Sequence, residues 1–209
     1  MKVLIACEHT GAVRDAFIRA GHDAMSCDLL PDESPNGGPH YQGDIFDIID
    51  DGWDLMVAHP PCTYLTSSGL HWNKRVPGRE EKTAEAVEFV RALMNADIPH
   101  IAIENPMGRI GTAIRKADQY IQPHEFGHDA SKKTGLWLKG LPKLEATDHV
   151  PPRITSDGKK RWANQTDSGQ NKLGPSDDRW KLRSATYQGI ADAMADQWGQ
   201  HIEEQQEAA

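Results

Sequence analysis

The chain has 209 residues, enough for one sizeable domain and too few for two comfortable ones. Hydrophobic residues make up 38% and charged residues 26%, which favours a globular fold over disorder, and no apolar run approaches the roughly 18–20 residues of a membrane-spanning helix. The 31 acids and 23 bases leave a net charge of −8, so the bulk electrostatics do not advertise a polyanion binder.

Lys2-Val3-Leu4-Ile5-Ala6 is a short apolar run ending in a turn and reads as a buried strand. It runs into Cys7-Glu8, an acid where a signal peptide needs its apolar centre. The three cysteines, Cys7, Cys27 and Cys62, are widely spaced and odd in number. The expectation is a reduced, cytoplasmic protein with no membrane partner. After Gly11, the residues Val13, Phe17 and Ile18 recur at helical spacing up to Gly21. Asp23 to Cys27 reads as a second strand closed by Asp28, and residues 29–43, dense in Pro, Gly, Ser and Asn, read as loop.

Asp54 to Ala58 is a third strand, stopped by His59-Pro60-Pro61. Glu80 to Ala96 places Ala84, Val87, Val90, Leu93 and Met94 on one helical face, and Pro99 to Ile103 is a further strand ending at Glu104-Asn105-Pro106. Beyond residue 107, Gln119–Gln122 and Gly135–Leu138 read as an antiparallel pair. Residues 139–182 read as a long irregular segment, Ala185 to Trp198 as a closing amphipathic helix, and Glu203 to Ala209 as a frayed polar tail. The expected organisation is a core over 1–138, an irregular basic segment over 139–182, a closing helix over 183–200 and a tail over 201–209. Strands alternating with helices imply a doubly wound, mostly parallel α/β sheet, in which ligands gather at the carboxyl ends of the strands.

Those strand ends carry the chemistry. Cys62 follows two prolines that lock φ and remove backbone donors, a stiff platform for a nucleophilic thiol. Glu104 ends a buried strand, where desolvation is expected to raise its pKa and poise it for proton transfer. The first turn, Cys7-Glu8-His9-Thr10-Gly11, lacks the full Gly-x-Gly-x-x-Gly and sets an acid where a pyrophosphate would lie. That disfavours NAD or FAD and suits S-adenosylmethionine, a phosphate-free ligand with a positive centre. Asp28 would then meet the ribose hydroxyls and Asp44, in Gly43-Asp44-Ile45, the adenine amine. His9, His59, Cys7 and Cys62 share no zinc-ligand spacing, so no metal is expected.

Charge is unevenly spread. Ala20 to Asn73 holds nine acids and no Lys or Arg, whereas Arg153 to Arg183 holds eight bases and four acids. Within that second strip Lys159, Lys160, Arg161 and Arg179, with Trp162 and Trp180 interleaved, offer phosphate contacts and a stacking ring.

In order and rough spacing, Val3 to Gly21, Asp28, Gly43-Asp44-Ile45, Pro60-Pro61-Cys62 and Glu104-Asn105 resemble the cofactor and catalytic motifs of DNA (cytosine-5) methyltransferases, the short phage-type members above all. The resemblance implies a Rossmann-like S-adenosylmethionine-dependent methyltransferase fold and, for a phage protein, a host cytoplasm. By that resemblance Cys62 adds to C6 of a cytosine flipped out of duplex DNA and Glu104 holds N3 and the exocyclic amine. Cys7, Glu8, Thr10, Gly11, Asp28, Asp44 and Pro60 bind the cofactor. Residues 63–78 form the loop that closes over the base, and Lys132 and Lys133 echo a basic active-site segment. Residues 139–182 stand where the family carries a target-recognition domain, which implies a short or relaxed sequence preference. Two other readings remain open: the same chemistry on a free cytosine nucleotide, or a DNA-binding module with a decayed site.

Overall fold

In a computed structural model, described over residues 1–177 and 179–208, the first strand, β1 (Lys2–Ala6), lies third across a seven-stranded sheet. The chain continues through α1 (Ala12–Arg19), β2 (Asp23–Asp28), β3 (His40–Gln42), a 3-10 turn at Ile45–Asp47, and β4 (Leu55–Ala58). Then follow α2 (Ser67–Leu70), α3 (Arg79–Met94), β5 (His100–Pro106), α4 (Ile110–Ala113), β6 (Gln119–Ile121) and β7 (Thr134–Lys139). A two-stranded ribbon of β8 (Arg153–Ile154) and β9 (Lys160–Arg161) precedes α5 (Arg179–Ser184) and α6 (Gln188–Glu207).

The sheet order is β3-β2-β1-β4-β5-β7-β6. β7 runs antiparallel between β5 and β6, and the other neighbouring pairs are parallel. This is the doubly wound, Rossmann-like α/β architecture expected of a methyltransferase fold. Both faces are covered, which is why the central strands read as unbroken apolar runs. Val3 and Ile5 point to one side, against Phe17 of α1 and Met194, Trp198 and Ile202 of α6. Leu4 and Ala6 point to the other, with Val87, Val90 and Leu93 of α3 and Trp137. Phe17 and Trp198 are both 0% exposed, and burying each contributes about 2–3 kcal/mol of transfer free energy. Among the described residues no helix is long and apolar enough to cross a membrane.

Several expectations shift. Ile18 is 41% exposed, because α1 turns Val13, Ala16 and Phe17 inward instead. Ala84 faces solvent on α3 and Thr83 takes the inner place, its hydroxyl donating to the Arg79 carbonyl and accepting from Asn73. The loop over 29–43 contains edge strand β3, paired with β2, and the irregular segment over 139–182 contains the β8–β9 ribbon. The closing helix starts at Gln188 and runs to Glu207, well into the expected frayed tail. Asp178, one of the acids of the basic strip, lies outside the described residues, as does Ala209.

Candidate active site

Strand order reverses between β1 and β4, which opens a crevice beyond their carboxyl ends. Two cavities occupy it. One, of about 310 Å³, is lined by Cys7, Glu8, Thr10, Asp28, His59, Pro60, Cys62, Glu104 and Asn105, with Lys132 and, from α5, Trp180 and Arg183. The other, of about 560 Å³, is bounded by Asp28, Asp44, Ile45, Phe46, Tyr64 and Phe89. Cys7, Asp28 and Pro61 line both cavities and form the boundary between them.

The first turn works differently from a glycine-rich loop. Glu8 is 4% exposed, and its two carboxylate oxygens accept from the backbone N–H groups of Val13 at 2.8 Å and Arg14 at 3.1 Å. The side chain therefore caps α1 and fills the anion position that a phosphate would take at a helix N-terminus. Gly11 touches neither cavity. It is needed for its φ of +70°, and a Cβ there would stand 2.5 Å from Arg14 Nη2 and 2.7 Å from Ser34 Cβ. Cys7 also adopts positive φ, at 59°, on the last step out of β1. Burial and then the Asp28 charge push its thiol up, and the same causes push Cys27 up to about 12, so neither is a nucleophile at rest.

Asp28 accepts from the Leu30 amide at 2.9 Å through Oδ1, while Oδ2 lies 3.8 Å from His9 Nδ1. Asp44 caps the 3-10 turn, Oδ1 accepting from the Phe46 amide at 3.1 Å. The larger cavity thus sets the carboxylates of Asp28, Asp44 and Glu85, with Lys82, around apolar Ile45, Phe46 and Phe89, and with the helix-end anion position already filled by Glu8 this lining fits a phosphate-free ligand.

Register explains the chemical end. β4 and β5 pair in parallel with Ala58 opposite Ile103, so the next residues out, His59 and Glu104, meet beyond the last rung. His59 Nδ1 stands 3.1 Å from Glu104 Oε2, with the side chains 11% and 13% exposed. Asn105 donates through Nδ2 to the Pro60 carbonyl at 2.7 Å and clamps the Pro-Pro turn to β5. Burial alone would raise the pKa of Glu104, as expected from its strand-end position. The His59 hydrogen bond, the Lys132 charge and Thr134 outweigh burial and hold the carboxyl below its usual range. Glu104 is thus an ionised acceptor near neutral pH. Cys62 moves the other way: burial and then the Glu104 charge raise its pKa, only partly offset by Lys132 and Arg183. Among the described residues no cluster of three or more His, Cys, Asp or Glu could hold a metal ion.

The residues expected at DNA are more committed than their sequence suggests. Lys159 pairs with Asp157 at 2.6 Å, and Arg161 donates to the carbonyls of Asp167 and Lys160. Trp162 stacks on His124 with ring centroids 4.0 Å apart and donates to the Val150 carbonyl, which makes it a packing residue and removes it as a free stacking face. Lys160 is exposed, and Arg179 opens α5. Lys132 turns into the smaller cavity, its Nζ donating to the carbonyls of Ser184 and Ala185 at 3.2 Å, whereas Lys133 lies 4.7 Å over the Tyr120 ring. Residues 63–78 form turns around α2, pinned by Arg79 donating to the Thr63 carbonyl and by Thr66 pairing with Gly108. Sequence spacing set His59 and Asn105 at the strand ends without a role of their own, and left Arg183 and Trp180 in the basic strip rather than in this cavity. Trp180 lines the smaller cavity, is 53% exposed, and its ring centroid lies 6.0 Å from that of His9.

No family model and no curated protein matches the chain. Among solved structures it is similar to a candidate DNA modification methyltransferase encoded within an E. coli prophage, at 16% identity and a TM-score of 0.46, over 66% of this chain and 46% of the other. It is also similar to a mutant of Spodoptera frugiperda DNMT2, at 16% identity and a TM-score of 0.42, over 77% of this chain and 57% of the other. The chain therefore spans about half the length of the structures it matches.

Proposed function

We propose that this protein transfers a methyl group from S-adenosylmethionine to C5 of cytosine in DNA, through a covalent bond between Cys62 and C6. The observation that carries this reading is the presence of Cys62 and Glu104 in one cavity, joined through Asp28 and Pro61 to an adenosine-sized one. Asp28 and Asp44 would hold the ribose and adenine, and the cofactor supplies an electrophilic methyl group. Glu8 is a wall of the smaller cavity whose charge is spent on α1.

C5 of a neutral cytosine is a poor nucleophile, so sulfur adds first at C6. The C5=C6 electron pair then shifts toward C4, C5 becomes enamine-like, and it can attack an electrophilic carbon. Glu104 accepts from the exocyclic amine and faces N3. Loss of the C5 proton to water and departure of the thiol restore the ring. In a duplex the base must leave the stack to reach Cys62, which costs a few kcal/mol.

A second reading keeps the chemistry and takes a free cytosine nucleotide as substrate. It is favoured by the internal pairing of Lys159 and Arg161, which leaves fewer cations for phosphates.

The test offers labelled S-adenosylmethionine with cytosine DNA, and with 5-fluorocytosine DNA, which traps the adduct because fluorine cannot leave as a proton does. The wild type should give labelled 5-methylcytosine and a denaturation-resistant adduct. Cys62→Ser should lose both by about 10³-fold or more. Undiminished transfer by C62S would exclude the covalent route.

A further inference from the structure

Two facts about the smaller cavity stand outside the chemistry described so far. The ionised Glu104 beside the base cannot itself bring a proton to N3, and the thiol of Cys62 carries one that it must lose. His59 lines the same cavity as both. Its Nδ1 is 3.1 Å from a Glu104 oxygen, and a carboxylate accepts only from N–H, so in the neutral ring the proton sits on Nδ1. Nε2 is then a bare lone pair. That atom is buried and has no hydrogen-bond partner, on a ring that lines the same cavity as Cys62. A buried polar atom without a partner is costly unless something arrives to use it. His59 and Cys62 are separated only by Pro60 and Pro61, and Asn105 ties that turn to β5, so the imidazole, thiol and carboxylate are fixed relative to one another.

The geometry points to His59 as the base that takes the thiol proton of Cys62 and, through Glu104, returns a proton to N3 of the cytosine. The inference rests on the cytosine-methylating reading above. In the step, the S–H proton passes through an intervening water to His59 Nε2, which has no hydrogen-bond partner of its own, as the sulfur pair forms the S–C6 bond. The C5=C6 pair becomes C4=C5, and the C4=N3 pair takes up a proton from Glu104. Glu104 is resupplied by the His59 Nδ1–H. One proton has moved from sulfur to N3, no net charge has formed, and His59 has exchanged one neutral tautomer for the other. When the thiol departs, the relay runs backward and resets the ring. The C5 proton takes no part in it. The titratable groups that line the cavity with His59 are Glu104 from β5, Lys132 from the segment before β7, Cys62 from its own turn, Arg183 from α5, Asp28 from the end of β2, and Cys7, Glu8 and His9 from the turn after β1.

The deciding experiment compares wild type with His59→Asn, whose amide keeps a donor toward Glu104 and cannot relay a proton. The readout is the rate of adduct formation on 5-fluorocytosine DNA and nucleotide at saturating substrate. His59→Asn should be slower by about 10²-fold or more at pH 7 with DNA affinity within about twofold. Its rate should climb roughly tenfold per pH unit while the thiol remains protonated, a slope the wild type lacks, and added imidazole should restore part of it. A wild-type rate and pH profile in H59N overturns the relay and leaves the methyl-transfer reading standing. Absence of any adduct in the wild type, on DNA and on nucleotide, overturns both. A second measurement needs no variant: 15N spectra of histidine-labelled wild type should show neutral His59 protonated at Nδ1, and protonation at Nε2 overturns the relay.

Discussion

Cys62 sits among charges that pull its proton affinity in opposite directions. Glu104 disfavours the thiolate, and Lys132 with Arg183 favours it, while burial disfavours it most. The sign is testable without any substrate. A raised pKa means that the thiolate, the only reactive form, is scarce at pH 7 and grows as pH rises. Alkylation of Cys62 by iodoacetamide, followed by mass spectrometry, should therefore be slow at pH 7 and accelerate well above pH 8. Removing the acidic neighbour with Glu104→Gln should speed it severalfold at pH 8, and Lys132→Ala should slow it. Cys7 and Cys27, whose thiols are also raised by burial and Asp28, should stay unmodified over the same range. Faster labelling of Cys62 in K132A than in wild type would reverse the electrostatic account. At this scale the sequence exposes Cys62 and Glu104, because Cys62 follows the double proline that stops β4 and Glu104 directly follows the apolar run of β5. It hides His59, whose importance comes from the β4–β5 register 45 residues away.

At the level of elements, α5 is held by its edges. None of its residues is buried, and Leu182 is 61% exposed, so packing contributes little. What spans to it comes from distant sequence: the Lys181–Glu33 ion pair, and Lys132 reaching the carbonyls of Ser184 and Ala185. Lys132→Ala should loosen α5 with little global cost. Trypsin cleavage after Lys181 or Arg183 should rise about threefold or more while Tm falls by no more than about 2 °C. Equal cleavage in K132A and wild type would mean that other contacts hold the helix. The same reasoning explains which elements a reader of the sequence can find. β1, β4 and β5 announce themselves because burial on both faces writes a continuous apolar run. β3 spells His40-Tyr41-Gln42 on a sheet edge among turn formers, and β8 and β9 are two residues each, so neither carries a periodic signal. α5 spells Arg-Trp-Lys-Leu-Arg-Ser, with none of it buried, and reads as loop. Glu8 as a helix cap is invisible for a related reason, since its acceptors' partners lie five and six residues on, beyond the usual capping spacing.

Across the whole molecule, charge decides which substrate the site can hold. A net of −8 repels DNA at long range, and several bases of the 153–183 strip are turned to internal partners. On the proposed reading, binding to a duplex would then come from a few local phosphate contacts, with the exposed Lys160 among the candidates. Counterion release makes the number of such contacts measurable, because the log–log slope of affinity against salt is about −0.9 per phosphate neutralised on B-DNA. A slope of roughly −2 to −4 is expected for the wild type on a cytosine-containing duplex, far shallower than the value near −10 of a dedicated operator binder. Lys160→Ala should reduce the slope's magnitude by about 1, and weaken binding evenly across sequences, if that side chain meets a phosphate. A slope shallower than about −1, together with equal affinity for a cytosine mononucleotide, would shift the substrate to the free nucleotide and leave the Cys62 chemistry intact.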